Sequence, residues 1–120
     1  MRSVMEHSQM GFHKGEIHLT NFNPAKGGEM GKLRPALIIS DEESNKILDT
    51  VIVIPLSTVV EPDALPYRYK VSKRQQLHKE SDLCINEIRA LSKTRIKEHI
   101  ADLGEDELKI VLQALCQILT

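Results

Sequence analysis

The stretch from Lys14 to Ser40 constrains this chain most, because it reads as strand, long polar loop, strand. Ile17, Leu19 and Asn21 alternate with His18, Thr20 and Phe22 at the two-residue period of a pleated strand, and Pro35 to Ser40 is a short branched apolar run of the buried kind. Between them, Asn23 to Arg34 holds Pro24, Gly27, Gly28 and Gly31 with two lysines and a glutamate. A backbone free to take unusual torsions is thus held between two fixed strands and ends at Arg34-Pro35, an arrangement that can set charge against a ligand.

A chain of 120 residues fits one domain. With no Trp, two Phe and two Tyr, its core has to be aliphatic, and an aromatic stacking platform for single strands is hard to build. Sixteen basic against seventeen acidic residues leave it near neutral, so any nucleic-acid contact must be local. Cys84 and Cys116 lack CxxC spacing and read as two buried small hydrophobes in a reducing compartment rather than as a disulfide. No export signal and no run of eighteen apolar residues is visible, which points to the cytoplasm and away from a membrane.

Residues 1–13 are polar and aperiodic and are expected to form a flexible extension to a domain spanning 14–120. The charged connector Asp41–Asp49 has room for a short helical turn, and Thr50–Pro55 is a third strand of β-branched residues. Tyr67–Ser72 alternates like an outer strand, Lys73–Glu80 is a charge run, Ser81–Ser92 is one long strand or two shorter ones, and Lys97–Leu103 is a further segment. Five to seven strands at these intervals suggest a small barrel. After Gly104, Leu108, Val111, Leu112, Leu115 and Leu119 follow helical spacing behind Glu105, Asp106 and Glu107, so the chain ends in an amphipathic helix.

Three motifs in register then carry a resemblance. KGEI, NFNP, KGGE and RPALIIS between Lys14 and Ser40, VIVIPLST over Val51–Thr58, and INEIRALSK over Ile85–Lys93 are similar to the MazF/PemK toxin endoribonucleases. The resemblance implies a mainly β, SH3-like barrel with short helices. It also implies a metal-independent, ribosome-independent, sequence-specific cut in single-stranded RNA, leaving 2′,3′-cyclic phosphate and 5′-OH ends. Further implied are a homodimer and a cognate antitoxin whose acidic flexible tail competes for the RNA groove, with no cofactor and no metal.

Residue by residue, Arg34 matches the family's cleavage-linked arginine. On its own a loop arginine before proline is most often solvated or locally paired; physically, a guanidinium is suited to clamp a phosphate and stabilise developing charge. Ser57 and Thr58 fall where the family has a hydroxyl pair, although two hydroxyls after a strand more often just cap a loop. Ser57 stands where threonine is usual, and no G-x-S-x-G elbow supports a seryl intermediate. Asn23, Lys26, Gly28, Glu29, Lys32, Thr58, Glu87 and Arg89 are the expected RNA contacts, and Arg68, Lys70, Lys73 and Arg74 offer a second basic face, though a charge run is usually only solvated.

Departures are equally specific. Asn86 stands where relatives carry an acid, and it cannot accept a proton; Glu87 can, if it faces the groove, but as a strand residue it is as readily an ion-pair partner of Arg89. Gly28 replaces the loop histidine of one subgroup, and His18 replaces a first-strand tryptophan and is expected simply to pack. The five histidines and two cysteines show no metal-ligand spacing. The rival readings are a non-catalytic interaction module or gyrase-inhibitor-type toxin on the same barrel, and a degenerate toxin that binds antitoxin without cutting.

Overall fold

The computed structural model describes residues 11–23 and 33–120. Seven strands appear in chain order: β1 (Glu16–Asn21), β2 (Leu33–Ile38), β3 (Thr50–Ser57), β4 (Arg68–Val71), β5 (Ser81–Cys84), β6 (Arg89–Ser92) and β7 (Ile96–Asp102). Helix α1 (Glu42–Ile47) precedes β3, and helix α2 (Glu105–Leu119) ends the chain. The sheet runs β4-β5-β3-β2-β1-β7, and β6 also pairs with β3.

β3 organises the sheet because its sequence is the most thoroughly β-branched. One edge takes β2, with Leu37 opposite Ile54. The other edge is shared: its first half takes β6, with Val53 opposite Arg89, and its last two residues take β5, with Ser57 opposite Asp82. That division requires the Ser81–Ser92 stretch to break. It does so at a 3-10 turn, Ile85–Glu87, so of the two readings left open for Ser81–Ser92, one long strand or two shorter ones, the structure has two short strands.

Two apolar clusters lie on opposite faces. The larger, with Ile17, Leu37, Ile54, Leu56, Leu83 and Ile85, is closed by Val111, Ala114 and Leu115 of α2. The smaller gathers Ala36, Ile38, Val51, Val53, Leu91 and Ile96, with Phe12 and Phe22 packed against it. Burying each such aliphatic side chain stabilises by about 1.5–3 kcal/mol. The core is therefore aliphatic, as the near absence of rings required.

The expected barrel is corrected in one respect: the sheet curls but does not close through a strand ladder among the described residues. Its ends, β4 and β7, meet instead through the β4–β5 connector, where the Gln76 N–H donates to the Ile100 carbonyl at 2.9 Å. Expectation and structure also differ at Cys116, which is exposed while Cys84 is buried, and at Leu119, which is 69% exposed in the last turn of α2. Both cysteines are free thiols. Among the described residues, no helix is long and apolar enough to cross a membrane.

Candidate functional site

Arg34 and Ser57 reach one place because β2 and β3 are antiparallel neighbours. Their ladder pairs Ala36 with Pro55, and the same register carried two residues outward sets Arg34 across from Ser57. Directly opposed residues present their side chains to the same face. A groove of about 350 Å³ lies there, lined by Leu33, Arg34, Pro35, Leu56, Ser57, Thr58 and Val59. An exposed guanidinium and two hydroxyls thus share a rim with apolar walls.

The Ser57 hydroxyl accepts the Val59 N–H at 3.1 Å, a local turn that fixes its direction just past the strand. Its neighbour Thr58 is exposed and also borders a second groove, of about 250 Å³, with Pro35, Gln76, His78 and Lys79. What this arrangement can do follows from its groups. An always-charged donor fork and hydroxyl donors suit a phosphodiester, and among the described residues none of the side chains lining the Arg34 groove is a carboxylate.

The remaining expected contacts divide. Asn23 lies at the exit of β1, where its carbonyl accepts from the Arg95 guanidinium, which also reaches the Asn21 carbonyl at 3.2 Å. Lys26, Gly28, Glu29 and Lys32 lie outside the described residues. Glu87 is exposed in the 3-10 turn rather than in a strand, and Arg89 has its guanidinium 5.4 Å from the Phe22 ring centroid instead of pairing with Glu87. Neither lines the Arg34 groove. The second basic face is partly spent on internal pairs: Arg68 bonds Asp82 and Arg74 bonds Glu107, the latter through two parallel contacts of 2.5 and 2.9 Å.

His18 packs, as expected, and its surroundings are richer than sequence suggested. Its Nδ1 donates to the Lys97 carbonyl at 2.9 Å, its Nε2 faces Glu16 Oε1 at 2.9 Å, and its ring stacks on His99 at 4.9 Å. Glu16, His18 and His99 bring ligand-type atoms within 4.8 Å of one another. The two rings, however, are only 15° from parallel, so their in-plane lone pairs do not converge on one ion. Burial pushes the Cys84 thiol up, which makes it a packing group and a poor nucleophile.

Sequence reasoning missed Asp82 and Asn45. Asp82 is 1% exposed, the sole carboxylate buried to that degree among the described residues. Asn45 holds the Ser40 and Phe12 carbonyls at 3.0 Å each from Nδ2. Each is a polar residue in a stretch whose sequence reads as solvated or strand-like, and only the fold reveals what covers it.

The profile of the family described as PemK-like, MazF-like toxin of type II toxin-antitoxin system matches residues 13–119. The chain belongs to that family. It is similar to an endoribonuclease MazF of Staphylococcus saprophyticus subsp. saprophyticus, 31% identical over 103 residues that cover 85% of this chain and 86% of the relative. Its fold resembles a MazE–MazF structure from Deinococcus radiodurans with TM-score 0.74 at 22% identity, covering 90% of this chain and 95% of that one. A mycobacterial endoribonuclease in complex with its cognate antitoxin matches with TM-score 0.72 at 16% identity, covering 90% and 94% respectively.

Proposed function

We propose that this PemK/MazF-family chain is the endoribonuclease toxin of a type II toxin–antitoxin pair, and that it cuts single-stranded RNA in the groove between the ends of β2 and β3. The observation that carries the reading is the meeting of Arg34, Ser57 and Thr58 on one rim. In the reaction, the substrate's own 2′-oxygen forms a bond to phosphorus while the bond from phosphorus to the 5′-oxygen breaks. The 2′-hydroxyl proton passes to solvent water and the departing 5′-oxygen takes up one proton, so the products carry a 2′,3′-cyclic phosphate and a 5′-OH. Since nucleophile and phosphate belong to one molecule, orientation and charge stabilisation supply most of the rate, and no metal is called for.

Arg34 stabilises the charge that builds on the non-bridging oxygens and stands ready to donate toward the 5′-oxygen, while Ser57 hydrogen-bonds the phosphate. Thr58 and the neighbouring Lys79 continue the rim, where flanking phosphates would lie. Glu87 stands outside this groove, so it is not assigned the role of base. Selection of a short base sequence would use splayed, unstacked bases, the usual mode of single-strand reading. A homodimer in the cytoplasm with the groove at its interface, inhibited by the acidic flexible tail of an antitoxin, completes the reading; such a tail competes for cations that otherwise meet phosphate.

The experiment is to incubate the purified full chain with a long RNA in the presence of a chelator and to map new 5′ ends. Discrete cuts bearing 5′-OH ends at a recurring short sequence are expected. Intact RNA would defeat the nuclease reading and leave an interaction module on the same fold.

A further inference from the structure

We propose that Asp82 is a positioning residue for this groove: together with Arg68 it clamps the segment that follows Ser57, and so fixes how Ser57 and Thr58 are presented. The inference rests on the reading of the groove as the reactive site, but its geometry stands alone. Asp82 is the register partner of Ser57 across β3 and β5, and Lys70 is its partner across β4 and β5, so the three stand in a row on one face of the sheet.

From that position Asp82 Oδ2 accepts the Glu61 N–H at 2.8 Å and an Arg68 guanidinium N–H at 3.3 Å. The same Arg68 nitrogen donates to the Val59 carbonyl at 2.9 Å. Val59 in turn donates its own N–H to the Ser57 hydroxyl at 3.1 Å. One carboxylate oxygen and one guanidinium nitrogen therefore hold both ends of Val59–Glu61, and that segment holds the hydroxyl.

Burial makes the arrangement informative. A strand residue 1% exposed is ordinarily apolar, and a carboxylate there has to be matched by donors. Oδ2 is matched, whereas Oδ1 has no hydrogen-bond partner among the described residues. A charge kept in the sheet at the expense of one unsatisfied oxygen, next to a loop that needs fixing, marks a local task rather than a contribution to the core.

Asp82→Asn and Arg68→Gln test this in the full chain, with amide hydrogen exchange followed residue by residue. In both variants the Val59 and Glu61 amides should exchange about tenfold faster, as local opening becomes easier. The Ile39 and Leu103 amides, which donate to the Ile52 and Gly15 carbonyls, should be unchanged. On RNA, kcat should fall by about 10²-fold with KM held, the signature of a misplaced group rather than lost binding.

Unchanged exchange at Val59 and Glu61 in a folded variant overturns the clamp, and so does faster exchange with an unaltered kcat. Should Asp82→Asn fail to fold, Arg68→Gln decides alone, since its side chain is partly solvated. If the wild-type chain cuts no RNA, the nuclease reading fails while the exchange comparison still decides whether the clamp exists.

Discussion

Arg34 is exposed and Pro35 behind it is fixed in β2, so its guanidinium is delivered to the groove by a strand rather than by a wandering loop end. Removing it should leave the fold intact, because its side chain is exposed and belongs to neither apolar cluster. Arg34→Ala is expected to cut RNA at least about 10²–10³-fold more slowly, the usual cost of deleting one preorganised charge stabiliser, with an unchanged circular dichroism spectrum. A fully active variant would sink the role given to it. Asn45 is the opposite case. It is 3% exposed, and its amide satisfies two carbonyls and a hydroxyl. Asn45→Ala should cost about 1–3 kcal/mol in urea unfolding, because its partners stay buried without it. The difference in legibility has a physical cause. Arg34 and Ser57 were singled out by the motifs of the resemblance, and the β2–β3 register then sets them across from each other, whereas the contacts of Asn45 and Asp82 depend on backbone groups of Phe12 and Glu61, distant in sequence. Glu87 reads as a strand residue for a related reason: Ser81–Ser92 reads as one long strand or two shorter ones, and nothing in its residue types places the break at Ile85–Glu87.

Among the elements, β3 decides the most. It pairs with three others and contributes Ile54 and Leu56 to the larger cluster and Val51 and Val53 to the smaller one. Its β-branched run was legible as a strand, but the sharing of one edge between β5 and β6 was not, since edge partners leave no mark in the strand's own sequence. Ile54→Ala at the wholly buried position should cost about 2–5 kcal/mol with an unchanged denaturant slope, while Ile52→Ala at the 40% exposed position next to it on β3 should cost under about 1 kcal/mol. Ile52 and Ile54 share one face of β3, so equal losses at the two sites would mean that the cover over Ile54 extends along that face to Ile52. For α2 the period of 3.6 located the helix and its acidic first turn, and the buried stripe proved to be Val111, Ala114 and Leu115 with Leu108 and Ile118 beside it. Leu119 falls one residue past that stripe, at the end of the helix where no further turn carries it back to the core.

At the scale of the whole molecule, an open sheet needs something to hold its ends together, and the β4–β5 connector does this. Arg74 forks onto Glu107 at the start of α2, Glu107 also accepts the Gly104 N–H at 2.8 Å, and Gln75 exchanges hydrogen bonds with Asp102 of β7. The charge run Lys73–Glu80 reads as an RNA-lining or a solvated face, since paired and free arginines look identical in sequence; its one arginine, Arg74, is in fact a strap. The Arg74 guanidinium holds the Glu107 carboxyl below the ordinary carboxylate range, outweighing the upward push of burial. At Asp102 burial again pushes upward, and the hydrogen bonds from Gln75 and His99 outweigh it, so that group too lies low. A carboxylate lowered by folding adds stability that is fully present above its unfolded value, about 4 for these groups, and is lost as pH falls through the lowered folded value. Urea stability should therefore hold from pH 7 to about 5 and then decline with acid. In Arg74→Gln the stability at pH 7 should drop by about 1–2 kcal/mol, the modest worth of a half-buried bidentate pair. Its acid decline should also be shallower, since Glu107 would return toward its ordinary value and bind its proton with less consequence. Parallel curves for the two proteins would mean that the strap does not tie the helix to the sheet. In that case the larger cluster, closed by Val111 and Leu115, would be what holds α2 in place.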